Sequence, residues 1–181
     1  NPFSIVGTSL SKQLKIANKE LRNNKIQGVE VCGDSFNLYK TLENKSVNCV
    51  ITSPPYFQMR SYSSLESIEM GKETTRSEYV KNLVNFFVEL SKKVKDDGVI
   101  LVNIDALSKS NAVKVLGIPM EFASEMEKNG FFLKFRFVWE KPSFGRWNSD
   151  KTPAHSFEDI FGFVKRSSVK NNIKINYNQH H

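Results

Sequence analysis

Residues 47–62, Val47-Asn-Cys-Val-Ile-Thr-Ser-Pro-Pro-Tyr-Phe-Gln-Met-Arg-Ser-Tyr62, decide the fold, because an apolar run ends there in a rigid polar and aromatic turn. Val47, Cys49, Val50 and Ile51 have the pattern of a strand buried in a parallel sheet. Pro54 and Pro55 end it by removing two amide donors and fixing two φ angles. In open α/β sheets ligands bind where such strands end. Ser53, Pro54, Pro55 and Tyr56 supply a side-chain oxygen, backbone carbonyls and an aromatic face on a stiff backbone. That set suits a planar base bearing an amino group.

The whole chain sets the scale around this stretch. Its 181 residues, 39% of them hydrophobic, suffice for one core and are most simply one domain. A net charge of +7 and a pI near 9.4 favour a polyanionic partner. Cys32 and Cys49 lie in or beside apolar runs without metal-ligand spacing, which predicts reduced core residues and neither a zinc site nor a disulfide framework. His155 has no companion ligand, so no metal is expected. The sequence has no bilayer-length apolar run and no signal-peptide pattern, and a cytoplasmic protein is the expectation. It begins at Asn1 and ends His180-His181, as a trimmed or tagged chain would.

The remaining elements follow from periodicity. Leu10, Leu14, Ala17 and Leu21 recur at helical spacing before an Asn23-Asn24 stop, and a strand is expected to lead into Gly33-Asp34-Ser35. Phe36 to Leu42 reads as a short helix packing Phe36, Leu38 or Tyr39, and Leu42, with a turn at residues 43–46. Thr75-x-x-Glu78 is a capping-box pattern, and the stripe Tyr79, Leu83, Phe86, Phe87, Leu90 and Val94 predicts a helix running to Asp97-Gly98. Val99 to Ile104 is the next buried strand, with Asn103 and Asp105 at its end facing a cleft. A helix over 118–128 closed by Asn129-Gly130, a strand over 131–139 and a last strand over 155–165 complete the series, with residues 169–181 as a tail after a domain ending at 168.

Thr52-Ser53-Pro54-Pro55-Tyr56 closing a strand resembles motif IV of the DNA amino-methyltransferases, which methylate the exocyclic amine of cytosine or adenine with S-adenosylmethionine. Gly33-Asp34-Ser35, Glu78-Tyr79-Val80, Asp97-Gly98, Gly117-Ile118-Pro119, Trp139-Glu140-Lys141-Pro142 and the 155–165 strand resemble further landmarks of that family in its order, over roughly Gly28 to Arg166. The resemblance implies a Rossmann-like class I methyltransferase fold: an α/β, mostly parallel sheet with helices on both faces and an antiparallel last strand. It implies S-adenosyl-L-methionine as cofactor, DNA as partner with the target base flipped out, and a place in restriction-modification.

The same resemblance implies residue roles. Ser53, Pro54, Pro55 and Tyr56 become the catalytic loop: Ser53 and the Pro54 carbonyl accept hydrogen bonds from the amine, localising its lone pair, while Tyr56 stacks on the base. Asn1, Pro2, Phe3, Gly7, Thr8, Glu30, Asp34, Ser35 and Ser53 become cofactor residues. Asn1 stands where motif I carries an acid, and Ile5 where it carries its first glycine. Phe57, Arg60, Tyr62, Trp139, Lys141, Pro142, Arg146 and Trp147 become candidates for the base pocket or for DNA. Ser in the first motif position is associated with N4 of cytosine, and Asp or Asn there with N6 of adenine; cytosine is favoured. The segment between the Gly7 loop and residue 47 is short for a complete cofactor domain, and no stretch has the length of a target-recognition domain. A second subunit or a homo-oligomer supplying target recognition, or a non-catalytic or half-assembled DNA-binding subunit, are the corresponding alternatives.

Overall fold

The computed structural model describes residues 12, 16, 19, 20, 23, 28, 30, 31, 33–59, 69–105, 117–141 and 157–175. It divides into two units, residues 1–43 and residues 44–181. In the first, Lys12, Ile16, Lys19 and Glu20 are helical, and Leu10, Leu14, Ala17 and Leu21 lie outside the described residues. Of the strand expected before Asp34, Gly28, Glu30, Val31 and Gly33 are irregular and pair with no strand among the described residues, while Val29 and Cys32 lie outside them. Helix α1, Ser35–Leu38, follows, and a 3-10 turn covers Tyr39–Thr41. Phe36, expected to be packed, is exposed. Four residues make a single turn with no buried face.

The second unit is built on strand β1, Val47–Thr52, helix α2, Arg76–Ser91, strand β2, Val94–Ile104, helix α3, Ile118–Lys128, strands β3, Phe131–Glu140, and β4, Phe157–Lys165, and helix α4, Arg166–Lys170. The sheet order is β1-β2-β4-β3. β1 pairs parallel with β2, and β4 pairs antiparallel with both β2 and β3. Three strands therefore point one way, with the last strand inserted against them. As a result the C-terminal ends of β1, β2 and β3 and the start of β4 share one edge of the sheet.

Helix α2 starts as its capping pattern predicts, with Thr75 Oγ1 accepting from Glu78 N–H at 3.2 Å. It ends at Ser91, six residues before Asp97. Val94, expected in the helical stripe, instead begins β2 opposite Val47, because Ser46 and Val47 donate their amides to the Lys93 carbonyl and draw the chain into the sheet. A bulge between Val47 and Cys49 absorbs the extra length, and it requires glycine at 98: a Cβ there would lie 2.6 Å from Val94 Cγ1 and 2.8 Å from the Asn48 carbonyl oxygen.

The core lies between the helices and one sheet face. Tyr79, Leu83 and Phe87 of α2 and Phe122 and Met126 of α3 are buried with Ile100, Val102, Ile104, Phe161 and Phe163. Phe87 meets Phe122 at 5.7 Å between ring centroids, and Phe122 meets Phe163 edge-on at the same distance. The other face carries Ile51, 77% exposed, with Phe137 and Trp139. This corrects the expectation of a fully buried β1: Val50 and Thr52 face inward, Cys49 and Ile51 do not, and β1 is an edge strand among the described residues. Cys49 is thus an exposed free thiol and no core residue, while Cys32 lies outside the described residues. Beyond β4, α4 carries Ser168 fully buried, within the domain expected to end there, and runs on to Lys170. No helix of the described residues is long and apolar enough to cross a membrane.

Candidate active site

The Ser53–Tyr56 loop leaves β1 at the common edge, and its stiffness comes from contacts below as well as from its prolines. Pro54 is buried, and the phenol of Tyr79, fully buried on α2, donates to the Pro55 carbonyl at 2.9 Å. Gly71 lies against the same backbone with φ +94°. A Cβ at that position would sit 2.9 Å from the Tyr56 carbonyl oxygen, so glycine serves both the close approach and the left-handed turn. Gln58 N–H donates to the Gly71 carbonyl at 2.6 Å, and Glu73 accepts from Gly71 N–H and from Asn82. Phe57, assigned above to DNA or base contact, is instead packed inward on Tyr79 at 5.6 Å, 7% exposed. The turn at Tyr56 to Met59 folds its ring under the loop.

On the upper side, five side chains from four strand ends meet. Asn103 Nδ2 shares its two hydrogens among three oxygens, Ser53 Oγ at 3.0 Å, Tyr56 Oη at 3.1 Å and Glu158 Oε2 at 2.6 Å. Tyr56 Oη donates to Glu158 Oε2 at 2.8 Å. Lys141 Nζ forms an ion pair with Glu158 Oε1, and the same ammonium lies 5.6 Å from the centroid of the Trp139 ring. Trp139 is about half exposed at the rim. Asp105, the residue after β2, is buried.

Electrostatics orders the group. Burial raises the Glu158 carboxyl, but hydrogen bonds from Lys141, Tyr56 and Asn103 together outweigh it and hold its pKa below the ordinary carboxylate value. Burial, with the neighbouring carboxylate, pushes the Tyr56 phenol well above its ordinary value, so it remains a neutral donor. A carboxyl depressed by folding contributes stability above its unfolded pKa and loses it as pH falls through the folded one. Wild type is therefore expected to melt above Glu158→Gln near neutrality and to lose that margin below about pH 4. Thermal melts across the range check it; a margin independent of pH would contradict the assignment.

The sequence reading had placed Asn103 at a cleft but gave Glu158 no role. Its signal was one acid pair, Glu158-Asp159, inside the apolar run of 157–164, since charged residues are buried only when paired. Asp159 is likewise buried, against Arg136 at 2.7 Å. Of the other assigned residues, Ser53, Pro54, Pro55, Tyr56, Trp139 and Lys141 converge here. Asp34 caps α1, accepting from Phe36 N–H and the Asn37 amide, beside an exposed Ser35; Glu30 is exposed. Asn1, Pro2, Phe3, Gly7, Thr8, Arg60, Tyr62, Pro142, Arg146 and Trp147 lie outside the described residues. Among the described residues no group of acids, histidines or cysteines could hold a metal.

A family model described as DNA methylase matches residues 47–181. The chain is 38% identical over 142 residues to the type II methyltransferase M.MwoI of Methanothermobacter wolfeii, covering 77% of this chain and 21% of that protein. It is 30% identical over 160 residues to the type II methyltransferase M.XycI of Xanthomonas campestris pv. cyanopsidis, covering 74% and 53%. The chain thus spans about half or less of the relatives it matches. Among solved structures, the cytosine-N4-specific PvuII DNA methyltransferase superposes with a TM-score of 0.59 at 24% identity, over 80% of this chain and 53% of that one. A DNA modification methylase from Thermus thermophilus, complexed with S-adenosyl-L-methionine, superposes with a TM-score of 0.56 at 17% identity, over 74% and 51%. These two likenesses concern the fold.

Proposed function

The chain belongs to the DNA methylase family, and from that premise we propose that it carries the catalytic part of an enzyme that methylates the exocyclic amine of a flipped DNA base, N4 of cytosine. The observation that carries this reading is Ser53: exposed at the end of β1, with its oxygen fixed by Asn103, it offers an acceptor beside the phenyl face of Tyr56. A base inside the duplex could not present its amine there, so the substrate nucleotide leaves the stack. Ser53 Oγ and the Pro54 carbonyl accept the two amine hydrogens, drawing nitrogen towards tetrahedral geometry and its lone pair out of the ring. Tyr56 and Trp139 bound the base.

S-adenosyl-L-methionine supplies an electrophilic methyl group on a cationic sulfur. The site suits a cation beside it, because Glu158 neutralises Lys141 and the remaining polar groups facing the loop are acceptors or neutral. Asp34, Ser35 and Glu30, with Asn1, Pro2, Phe3, Gly7 and Thr8, are assigned to the cofactor in this reading, and Arg60, Tyr62, Pro142, Arg146 and Trp147 to DNA or the pocket. A DNA substrate also implies a cytoplasmic setting.

Mass spectrometry of nucleosides from DNA treated with the protein and S-adenosyl-L-methionine tests the target. N4-methylcytosine is the expected product. N6-methyladenine alone would keep the mechanism and overturn the choice of base, since the uncharged Ser53 could physically accept from either amine. Calorimetry with the cofactor separates a further outcome: no binding at millimolar concentration would favour a non-catalytic DNA-binding subunit.

A further inference from the structure

The Glu158 side chain is nearly buried, 5% exposed, and a charge so placed is retained only with partners on its oxygens. Those partners come from three separate strand ends. Oε2 accepts from Tyr56 Oη at 2.8 Å, in the loop after β1, and from Asn103 Nδ2 at 2.6 Å, next to last in β2. Oε1 accepts from the ammonium of Lys141, the residue after β3. That ammonium lies over the Trp139 ring, 5.6 Å from its centroid. One oxygen therefore holds the tyrosine ring by its hydroxyl, and the other holds the lysine that covers the tryptophan.

The competing contacts are weaker on both sides. Lys141 and Trp139 are each partly exposed, and a cation–aromatic contact in water is worth less than the rotamer freedom a lysine gives up on being held. The ion pair, rather than the ring, keeps Lys141 in place. Tyr56 Oη also receives Asn103 Nδ2 at 3.1 Å, but that amide shares two hydrogens among three oxygens. The carboxylate is the shorter and charge-assisted partner of the phenol. Glu158 is itself delivered by β4, a strand paired on both edges, so the contacts start from the interior of the sheet.

We infer that Glu158 is a positioning residue that braces Tyr56 through one oxygen and, by way of Lys141, Trp139 through the other, setting both aromatic groups for capture of an extruded base. The inference rests on the function proposed above for what the two rings receive, and on these contacts for the brace itself.

Two measurements on the whole protein test it. Glu158→Gln leaves one oxygen where there were two. That oxygen stays with the donors Tyr56 and Asn103, and the new amide nitrogen faces the Lys141 ammonium and releases it. The first measurement is acrylamide quenching of Trp139 fluorescence, read in a Trp147→Phe background because the chain has two tryptophans. Glu158→Gln is expected to raise the quenching constant about 1.5-fold, since full exposure of a half-exposed ring would raise it roughly twofold. Lys141→Ala added to Glu158→Gln should raise it no further, the lysine having already left. Tyr56→Phe breaks the contact on the other oxygen and should leave quenching at the wild-type value. An unchanged constant in Glu158→Gln would overturn the inference, as would a further rise in the double variant. An equal rise in Tyr56→Phe would signal a general loosening of the sheet edge and overturn it too.

The second measurement is single-turnover transfer of labelled methyl from S-adenosyl-L-methionine to bulk unmethylated DNA. Glu158→Gln is expected to lose about 10-fold or more, with cofactor affinity changed by less than about threefold, because misplaced rings affect the base and not the cofactor. A wild-type rate, or a loss carried by cofactor affinity, would sink the brace as a device of the reaction. If wild type transfers no methyl to any DNA, the proposed function falls, and the quenching comparison still decides whether Glu158 holds Trp139.

Discussion

Ser53→Ala is expected to slow the methyl-transfer step by about 10²-fold while leaving cofactor binding close to wild type, taking the loss of one preorganised polar group as calibration. The substitution removes a single oxygen from an exposed position at the end of β1, so the fold has little to lose. What it removes is an acceptor for an amine that is a poor nucleophile while its lone pair is delocalised. Asn103 would then hold Tyr56 and Glu158 alone, and its contact to Ser53 would pass to water. A companion substitution separates stacking from polarity. Tyr56→Ala deletes both the aromatic face and the Glu158 partner, and should fall at least as far as Ser53→Ala in single-turnover rate. Single-turnover measurement is the right one, because a change in product release cannot imitate it. Wild-type rates in both variants would remove this loop from the chemistry.

The parts of this molecule that were legible in its sequence are those governed by local pattern. The cap at Thr75, the apolar stripe of α2 from Tyr79 to Leu90, the Asn129-Gly130 close of α3 and the alternation of β3 each depend on neighbours within a few residues. The proline-ended strand, with the Ser53–Tyr56 loop at its end, was legible for the same reason. Val94 was misread because a valine one turn beyond Leu90 fits a helical stripe as well as it fits a strand. Its pairing to Val47, almost fifty positions away in sequence, decides the matter. Cys49 and Ile51 looked buried since an apolar run does not say whether its strand lies at the edge of a sheet. Phe57 looked like a DNA contact because its position in a loop does not reveal that Tyr79 lies beneath it.

Glu158 was the costliest omission, and its cause is topological. Five side chains meet there from 53, 56, 103, 141 and 158, and their convergence follows only from β4 running antiparallel between β2 and β3. Had β4 been added parallel at the sheet edge, Glu158 would lie at the opposite rim. The register makes the same point residue by residue: Trp139 faces Glu158 across β3 and β4, and Asn103 faces Ile160 across β2 and β4. A charged residue inside an apolar strand was visible, but what it pairs with was not.

The largest loss of stability is expected at Phe163, on the strand that delivers Glu158. Phe163 is fully buried and touches three other rings: Phe122 at 5.7 Å and 86°, Phe131 at 6.4 Å and 70°, and Phe161 at 6.1 Å. It therefore joins α3, β3 and β4 at one point. Phe163→Ala is expected to cost about 3–5 kcal/mol, the range for deleting a buried phenyl ring and leaving a cavity that the surrounding strands cannot close. Against a total stability of about 5–15 kcal/mol, such a loss leaves the unit marginal. Phe137→Ala on the neighbouring strand is the control, since Phe137 is 57% exposed and its deletion empties no cavity. Urea denaturation should show a lower midpoint for Phe163→Ala at an unchanged slope, and little change for Phe137→Ala. Equal effects would mean that the helix-facing side of the sheet is not the core. Because Phe161 and Phe163 anchor β4 while Glu158 sits at its free start, methyl transfer by the folded fraction of Phe163→Ala should fall less than its stability does. A core substitution moves the population of folded molecules, whereas the position of Ser53 within each of them is set by the polar group at the sheet edge.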